Sequence, residues 1–145
     1  ALVLIGRTFP DENLRVPPGV VILGRRAHDE VLATLGGAVC SVVPSVWEEP
    51  FGIVAIEALA LGIPVIASRI GGLADIVEDG VSGLMVPPGD APALAAAMRR
   101  IVDDPALAAR LADGARRRGS DYAASQVITR VEAAYARARD LARAT

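Results

Sequence analysis

The chain has 145 residues, 52% hydrophobic and 22% charged, so it is long and apolar enough for one domain with a sizeable core, and its composition is that of a folded chain rather than a disordered one. A formal net charge of −2 gives no overall case for nucleic-acid or membrane binding. All fifteen basic residues are arginine, which excludes chemistry that needs a lysine amine, such as Schiff-base formation or a Walker-type phosphate lysine.

In chain order, LVLIG (2–6) reads as a strand ended by Gly6, followed by a polar loop, RTFPDENLRVPPG, with room for one helical turn. VVIL (20–23) is a second strand, again ended by a glycine, Gly24. HDEVLATLG (28–36) suits a short helix whose first-turn acids complement its dipole. AVCSVVP (38–44) is a third strand, GIVAIEALALG (52–62) a helix stopped by Gly62, and PVIAS (64–68) a fourth strand. GGLADIVEDG (71–80) reads as a turn and short helix, and GLMVPPG (83–89) holds a fifth strand. Strands at this spacing with helices between them predict an α/β fold with a parallel sheet. The strands are solidly apolar, as expected where both faces are covered.

From Asp90 the texture changes to three amphipathic helices. The first has Asp90 as N-cap and Pro92 in its first turn, the second starts at Pro105, and the third and longest starts at about Ala123. The expected organisation is a single domain over 1–145, with a sheet core in 1–90 and a helical tail in 91–145. The tail carries 10 Arg against 6 acids, where residues 1–90 carry 5 Arg against 11 acids. A solvated helical face is the ordinary reading of that excess, and a contact with an acidic surface is the other.

Cys40 is alone, so no internal disulfide forms, and in an apolar run it reads as core. The only histidine, His28, opens a helix and reads as a surface or capping residue. No Cys/His cluster or H-E-x-x-H motif offers a zinc site. Ser45 and Ser68 lack the strand–turn–helix elbow of a serine nucleophile. The most apolar stretch, near 51–67, is interrupted by Glu57, Gly62 and Pro64 and is too broken to span a bilayer. No signal peptide is visible, so a cytoplasmic protein is expected, with the inner membrane face open to a longer parent. Entry into LVLIG straight from Ala1 is what a piece of a longer protein would show.

The informative segment is SVWEEPFG, between the third strand and the next helix. In open parallel sheets, ligands bind outside the carboxyl ends of the strands, and this loop lies there. Gly52 allows backbone amides to approach a ligand closely, and the helix start that follows favours an anion. Glu57 stands about five residues into the helix, near enough to face the same crevice. A carboxylate only accepts hydrogen bonds, and its two oxygens match the paired O–H donors of a vicinal diol. Glu57 on a ribose diol, Glu49 on a sugar hydroxyl and the amides between them on a diphosphate together describe a nucleotide-diphosphate sugar. The alternative is that Glu57 pairs with a buried arginine or points to solvent.

The stretch PSVWEEPFGIVAIEALALGIPVIA (44–67), read as PS-x-x-x-E-PFG-x-x-x-x-EA-x-A-x-G-x-PV-x-A, resembles the donor-site signature of the family-4 (group 1) retaining glycosyltransferases of GT-B fold. The following GGLADIVEDGVSGLMVPPGD (71–90) is similar to the same family. The resemblance covers about residues 1–120 and is densest over 44–90. It implies half of a GT-B fold, a Rossmann-like parallel sheet with flanking helices and a helical C-terminal tail. It also implies that the chain is part of the C-terminal, nucleotide-sugar-binding domain. In the family, the position of Glu49 contacts the donor sugar, which makes Glu49 the candidate catalytic residue. The position of Glu57 binds the ribose hydroxyls, and the amides of Phe51, Gly52 and Ile53 contact sugar and phosphate. Gly71 and Gly72 are further donor-site candidates, although a turn is their first reading.

Glycosyl transfer with retention and usually without a metal is implied, so no cofactor is expected beyond the nucleotide-sugar donor. The family's phosphate-binding Arg and Lys and its N-terminal acceptor domain are absent from these 145 residues. The piece alone is therefore expected to bind donor weakly at best and not to turn over. Arg7, Arg25 and Arg69 each follow a predicted strand end and are candidate phosphate or base contacts, with solvated surface arginine as the alternative. The other readings are a nucleotide-sugar 2-epimerase of the same fold and a non-catalytic α/β interaction module. No nucleic-acid partner is expected. The last helix, with Val127, Ile128, Val131, Ala134 and Tyr135 in a stripe, is expected either to pack on its own sheet or to stay partly exposed, open to an N-terminal domain or a homo-oligomer contact.

Overall fold

The computed structural model describes residues 1–6 and 16–143. The helical turn considered for the loop after the first strand, and Arg7, lie outside the described residues. The chain divides into two compact units, Ala1–Thr34 and Leu35–Thr145.

In the first unit, β1 (Leu2–Ile5) runs parallel to β2 (Val20–Gly24), with Leu2 opposite Val20 and Val3 opposite Val21. The register shifts between Leu4 and Ile5, where Gly24 is the partner. Val3, Leu4 and Val21 are exposed, so these two apolar runs are not covered on both faces. Helix α1 (His28–Gly36) has the bounds its sequence predicts, with Glu30 accepting from the Ala27 amide at 2.9 Å and closing its first turn. The division between the units falls within this helix.

The second unit holds a three-stranded parallel sheet in the order β3 (Ser41–Val43), β4 (Val65–Ser68), β5 (Gly83–Val86). Parallel strands require crossovers, supplied by α2 (Ile53–Ala60) and α3 (Leu73–Ile76). Helices α4 (Ala91–Asp103), α5 (Pro105–Ser120) and α6 (Ala124–Arg143) follow. The parallel α/β architecture is the expected one, but its strands form two hydrogen-bonded sheets rather than one, because β2 pairs with β1 and β3 with β4. Strand β3 is shorter than its apolar run. The Ser41 amide bonds the Pro64 carbonyl at 2.9 Å, and the register then runs only from Ser41 opposite Val65 to Val43 opposite Ala67.

Strand β4 explains the solid apolar pattern of PVIAS. Side chains alternate across a sheet, and both of its faces are buried. Val65 and Ala67 join Ala55, Ala58, Leu59, Leu73, Ile76 and Ala115 on one side. Ile66 joins Leu84, Val86, Ile101, Leu107 and Leu111 on the other. Asp90 and Asp104 cap α4 and α5, accepting from the Ala93 and Leu107 amides at 2.9 Å each. Among the described residues, no helix is long and apolar enough to cross a membrane.

Candidate functional site

The site begins where β3 ends. Pro44 closes the strand, Ser45 is buried, and residues 46–51 run outside the sheet with every side chain exposed except that of Glu49, which is half-buried. Gly52 then turns the chain into α2 with φ 77° and ψ 50°, a left-handed conformation that a side chain would strain. A Cβ there would also come within 2.7 Å of the Leu73 side chain.

The Gly52 carbonyl accepts from the amides of Ala55 and Ile56 at 3.0 and 3.3 Å, as an N-cap carbonyl should. Gly52 has no side chain to cap the remaining first-turn amides, and that turn holds no acidic residue. Helices α1, α4 and α5 differ in this respect, because each has a carboxylate of its own at its start. Helix α2 therefore presents an N-terminal dipole that no carboxylate of its own first turn offsets. Glu57 is the fifth residue of α2 and is half-buried, with Ala55, Ala58 and Leu59 buried around it.

The glycine pair after β4 meets this loop directly. The Gly72 amide donates to the Glu49 carbonyl at 2.7 Å. A Cβ on Gly71 would stand 2.7 Å from the Glu49 nitrogen, and one on Gly72 would stand 2.8 Å from the Pro50 carbonyl oxygen. Gly71 and Gly72 thus form the floor on which Glu49, Pro50 and Phe51 rest. Within the second unit, the loops after β3 and β4 bring Glu49, Phe51, Gly52, Ile53, Gly71 and Gly72 into one region. The side chains of Phe51 and Ile53 are exposed. Arg25 is an exposed residue of the first unit, just beyond β2, where its carbonyl accepts from Arg26 at 3.2 Å.

Arg69 follows β4, as its sequence position predicts, and is engaged. It donates to Asp79 at 2.6 Å, while the other Asp79 oxygen accepts from the Met85 amide at 2.9 Å. The pair ties the segment before β5 to the end of β4. A hollow of about 170 Å³ opens near the same strand ends, lined by Pro44, Ser68, Val86, Gly89 and Asp90. It is smaller than the roughly 300–1,000 Å³ usual for small-molecule sites, so it would be only a corner of one. A larger hollow of about 580 Å³ lies between α4 and α5, away from the strand ends, among Arg99, Arg100, Asp103 and Arg110.

Cys40 is half-buried against the core side of Ile66 and Leu84, and burial raises its thiol above the ordinary value, which disfavours the thiolate a nucleophile needs. Among the described residues, no three or more His, Cys, Asp or Glu side chains are grouped to hold a metal ion. The structure adds two residues that the sequence did not single out, Asp79 and Arg118. Asp79 pairs across ten residues and Arg118 reaches Ile76 across forty-two, separations at which no periodic or local signal exists.

Comparison with known proteins gives a consistent picture. The family model described as glycosyl transferases group 1 matches residues 9–118. Glycogen synthase from Mycobacterium tuberculosis is 43% identical over 126 residues, covering 86% of this chain and 30% of that protein. D-inositol 3-phosphate glycosyltransferase 1 from Catenulispora acidiphila is 39% identical over 124 residues, covering 86% of this chain and 28% of its own. The chain thus spans under a third of the length of these relatives. Among solved structures, HepE from Anabaena in complex with UDP-glucose matches with a TM-score of 0.73 and 28% identity, over 82% of this chain and 35% of that one. Sucrose-phosphate synthase from Thermosynechococcus elongatus matches with a TM-score of 0.74 and 41% identity, over 87% and 31%.

Proposed function

The chain belongs to the glycosyl transferases group 1 family, and from that premise we propose that it is the donor-binding part of the C-terminal domain of a retaining, family-4 enzyme. Its donor is a nucleotide-diphosphate sugar, and its acceptor site lies in an N-terminal domain outside these 145 residues. The observation that carries this reading is the start of α2, where the left-handed Gly52 opens a helix whose first turn has no carboxylate of its own.

In this reading the amides of Phe51, Gly52 and Ile53 hold the diphosphate. During transfer the acceptor oxygen bonds to the anomeric carbon as the bond from that carbon to the diphosphate breaks; the electron pair leaves with the phosphate oxygen, which takes up the acceptor's proton, and the negative charge that grows on it lies at the helix start. Glu57 accepts both O–H groups of the ribose diol, and Glu49 accepts from the donor sugar. Gly71 and Gly72 keep Glu49 at the height of the sugar. No step calls for a metal. The UDP-glucose complex of HepE supports a uridine-type donor as the first probe.

An NMR titration of the chain with UDP-glucose tests the assignment. Amide shifts are expected at 49, 51–53, 57 and 71–72, and Glu57→Gln should weaken binding about tenfold, the loss of one charge-assisted hydrogen bond. An unchanged titration curve for Glu57→Gln removes the ribose role. Glu49→Ala should reduce the affinity for UDP-glucose to that for UDP while leaving UDP itself unaffected. A loss shared equally by both ligands would take Glu49 away from the sugar.

A further inference from the structure

The Glu49 loop has little packing of its own, because the side chains of 46, 47, 48, 50 and 51 are exposed. Its position comes from what lies beneath it, the turn at Gly71–Gly72 and the single helical turn of α3. A four-residue helix does not stand alone: the Leu73 carbonyl accepts from the Val77 amide at 3.0 Å, and the carbonyls after it need partners from outside the helix. Leu73 and Ile76 bury the apolar side of α3. Its carbonyl end is gripped by one residue of α5, Arg118.

The Arg118 Nε donates to the Ile76 carbonyl at 3.0 Å, and Nη2 donates to the Asp75 carbonyl. Nη1 donates to Asp121 at 2.9 Å, and Nη2 also reaches the Tyr122 hydroxyl at 3.1 Å. The guanidinium carbon lies 5.2 Å from the centre of the Tyr122 ring. All three nitrogens are engaged, and Asp121 and Tyr122 hold the fork in place while it spans two successive carbonyls, a geometry an ammonium group does not reproduce. Helix α5 itself is fixed, with Leu107, Leu111 and Ala115 buried.

We propose that Arg118 is a positioning residue for the donor site. Resting on the reading above, it fixes α3 from below, α3 fixes Gly71 and Gly72, and these fix the height of Glu49 and the entry into Gly52. A residue with no place in the donor signature thereby sets how well the loop is organised for the sugar. Its loss is a loss of preorganisation rather than of a ligand contact.

The test uses Arg118→Lys, which keeps the charge and the aliphatic stem but loses the fork, alongside Arg118→Ala. Hydrogen exchange is read at the Gly72 amide, which bonds Glu49, and at the amides of β4. In Arg118→Lys, Gly72 should exchange roughly tenfold faster while β4 stays within about twofold, the signature of a local opening. UDP-glucose affinity should fall about fivefold as the competent loop position becomes less populated. Equal acceleration at Gly72 and in β4 would reduce Arg118 to a general stabiliser and overturn the proposal, as would unchanged exchange at Gly72. Gly72 exchange needs no donor, so it decides whether Arg118 governs the loop even where the chain alone binds UDP-glucose too weakly to shift.

Discussion

Helices α5 and α6 are neighbours in sequence, both amphipathic and both rich in alanine and arginine, yet they end in opposite surroundings. Helix α5 buries Leu107, Leu111, Gly114, Ala115 and Gly119. In α6, every side chain from Ala124 to Ala142 is exposed except Ala136, which is half-buried. Val127, Ile128, Val131, Tyr135 and Leu141 are between 40% and 76% exposed, which answers the question the stripe raised in favour of exposure.

Close approach distinguishes the two helices more than apolar content does. A Cβ on Gly114 would overlap the Val81 carbonyl, and one on Gly119 would lie 2.5 Å from the Leu59 carbonyl oxygen. At those two points the backbone of α5 lies directly against the body of the second unit. Helix α6 has alanines, not glycines, on its faces. An amphipathic stripe permits docking, but the residues that let two backbones meet decide whether it happens.

The comparison can be broken in order of expected effect. Leu111→Ala in α5 should cost about 2–5 kcal/mol, as a fully buried leucine leaves a cavity behind. Thermal unfolding would measure it, and a loss below about 1 kcal/mol would mean that α5 is less tightly held than its burial implies. Gly119→Ala should cost about 1–3 kcal/mol through overpacking against Leu59, read by chemical denaturation. A neutral result would show that α5 can slide and that its glycines are not what seats it. Val131→Ala in α6 should change stability by less than about 0.5 kcal/mol, by the same denaturation. A large effect there would mean that α6 is covered in solution, by a second copy or by its own body, and the contrast between the helices would collapse.

Much of this molecule was legible in its sequence. The apolar runs and their punctuation mark α1 over His28–Gly36, cap α4 with Asp90, and stop α2 just before Gly62. These features are set by neighbouring residues: glycine ends an element, an aspartate accepts from amides three residues on, and a 3.6-residue period shows itself within one turn. The candidate loop was legible for the same reason, since 44–67 is one continuous strand–loop–helix–strand stretch. The length of β3 was not legible, because a strand extends only as far as its partner, and β4 begins after Pro64.

By itself the sequence determined the elements, their order and their parallel pairing through helical crossovers. These follow from short-range sterics, helix-terminal hydrogen bonding and the two hydrophobic periods, all of which act within a few residues. Only the tertiary structure decided that Gly71 and Gly72 support Glu49, that Arg69 is engaged with Asp79, that Arg118 holds α3 from forty-two residues away, and that α5 docks where α6 does not. Those outcomes depend on which backbones reach van der Waals contact and which polar groups they leave to be satisfied. That is a property of the packed chain, with no counterpart in any local stretch of letters.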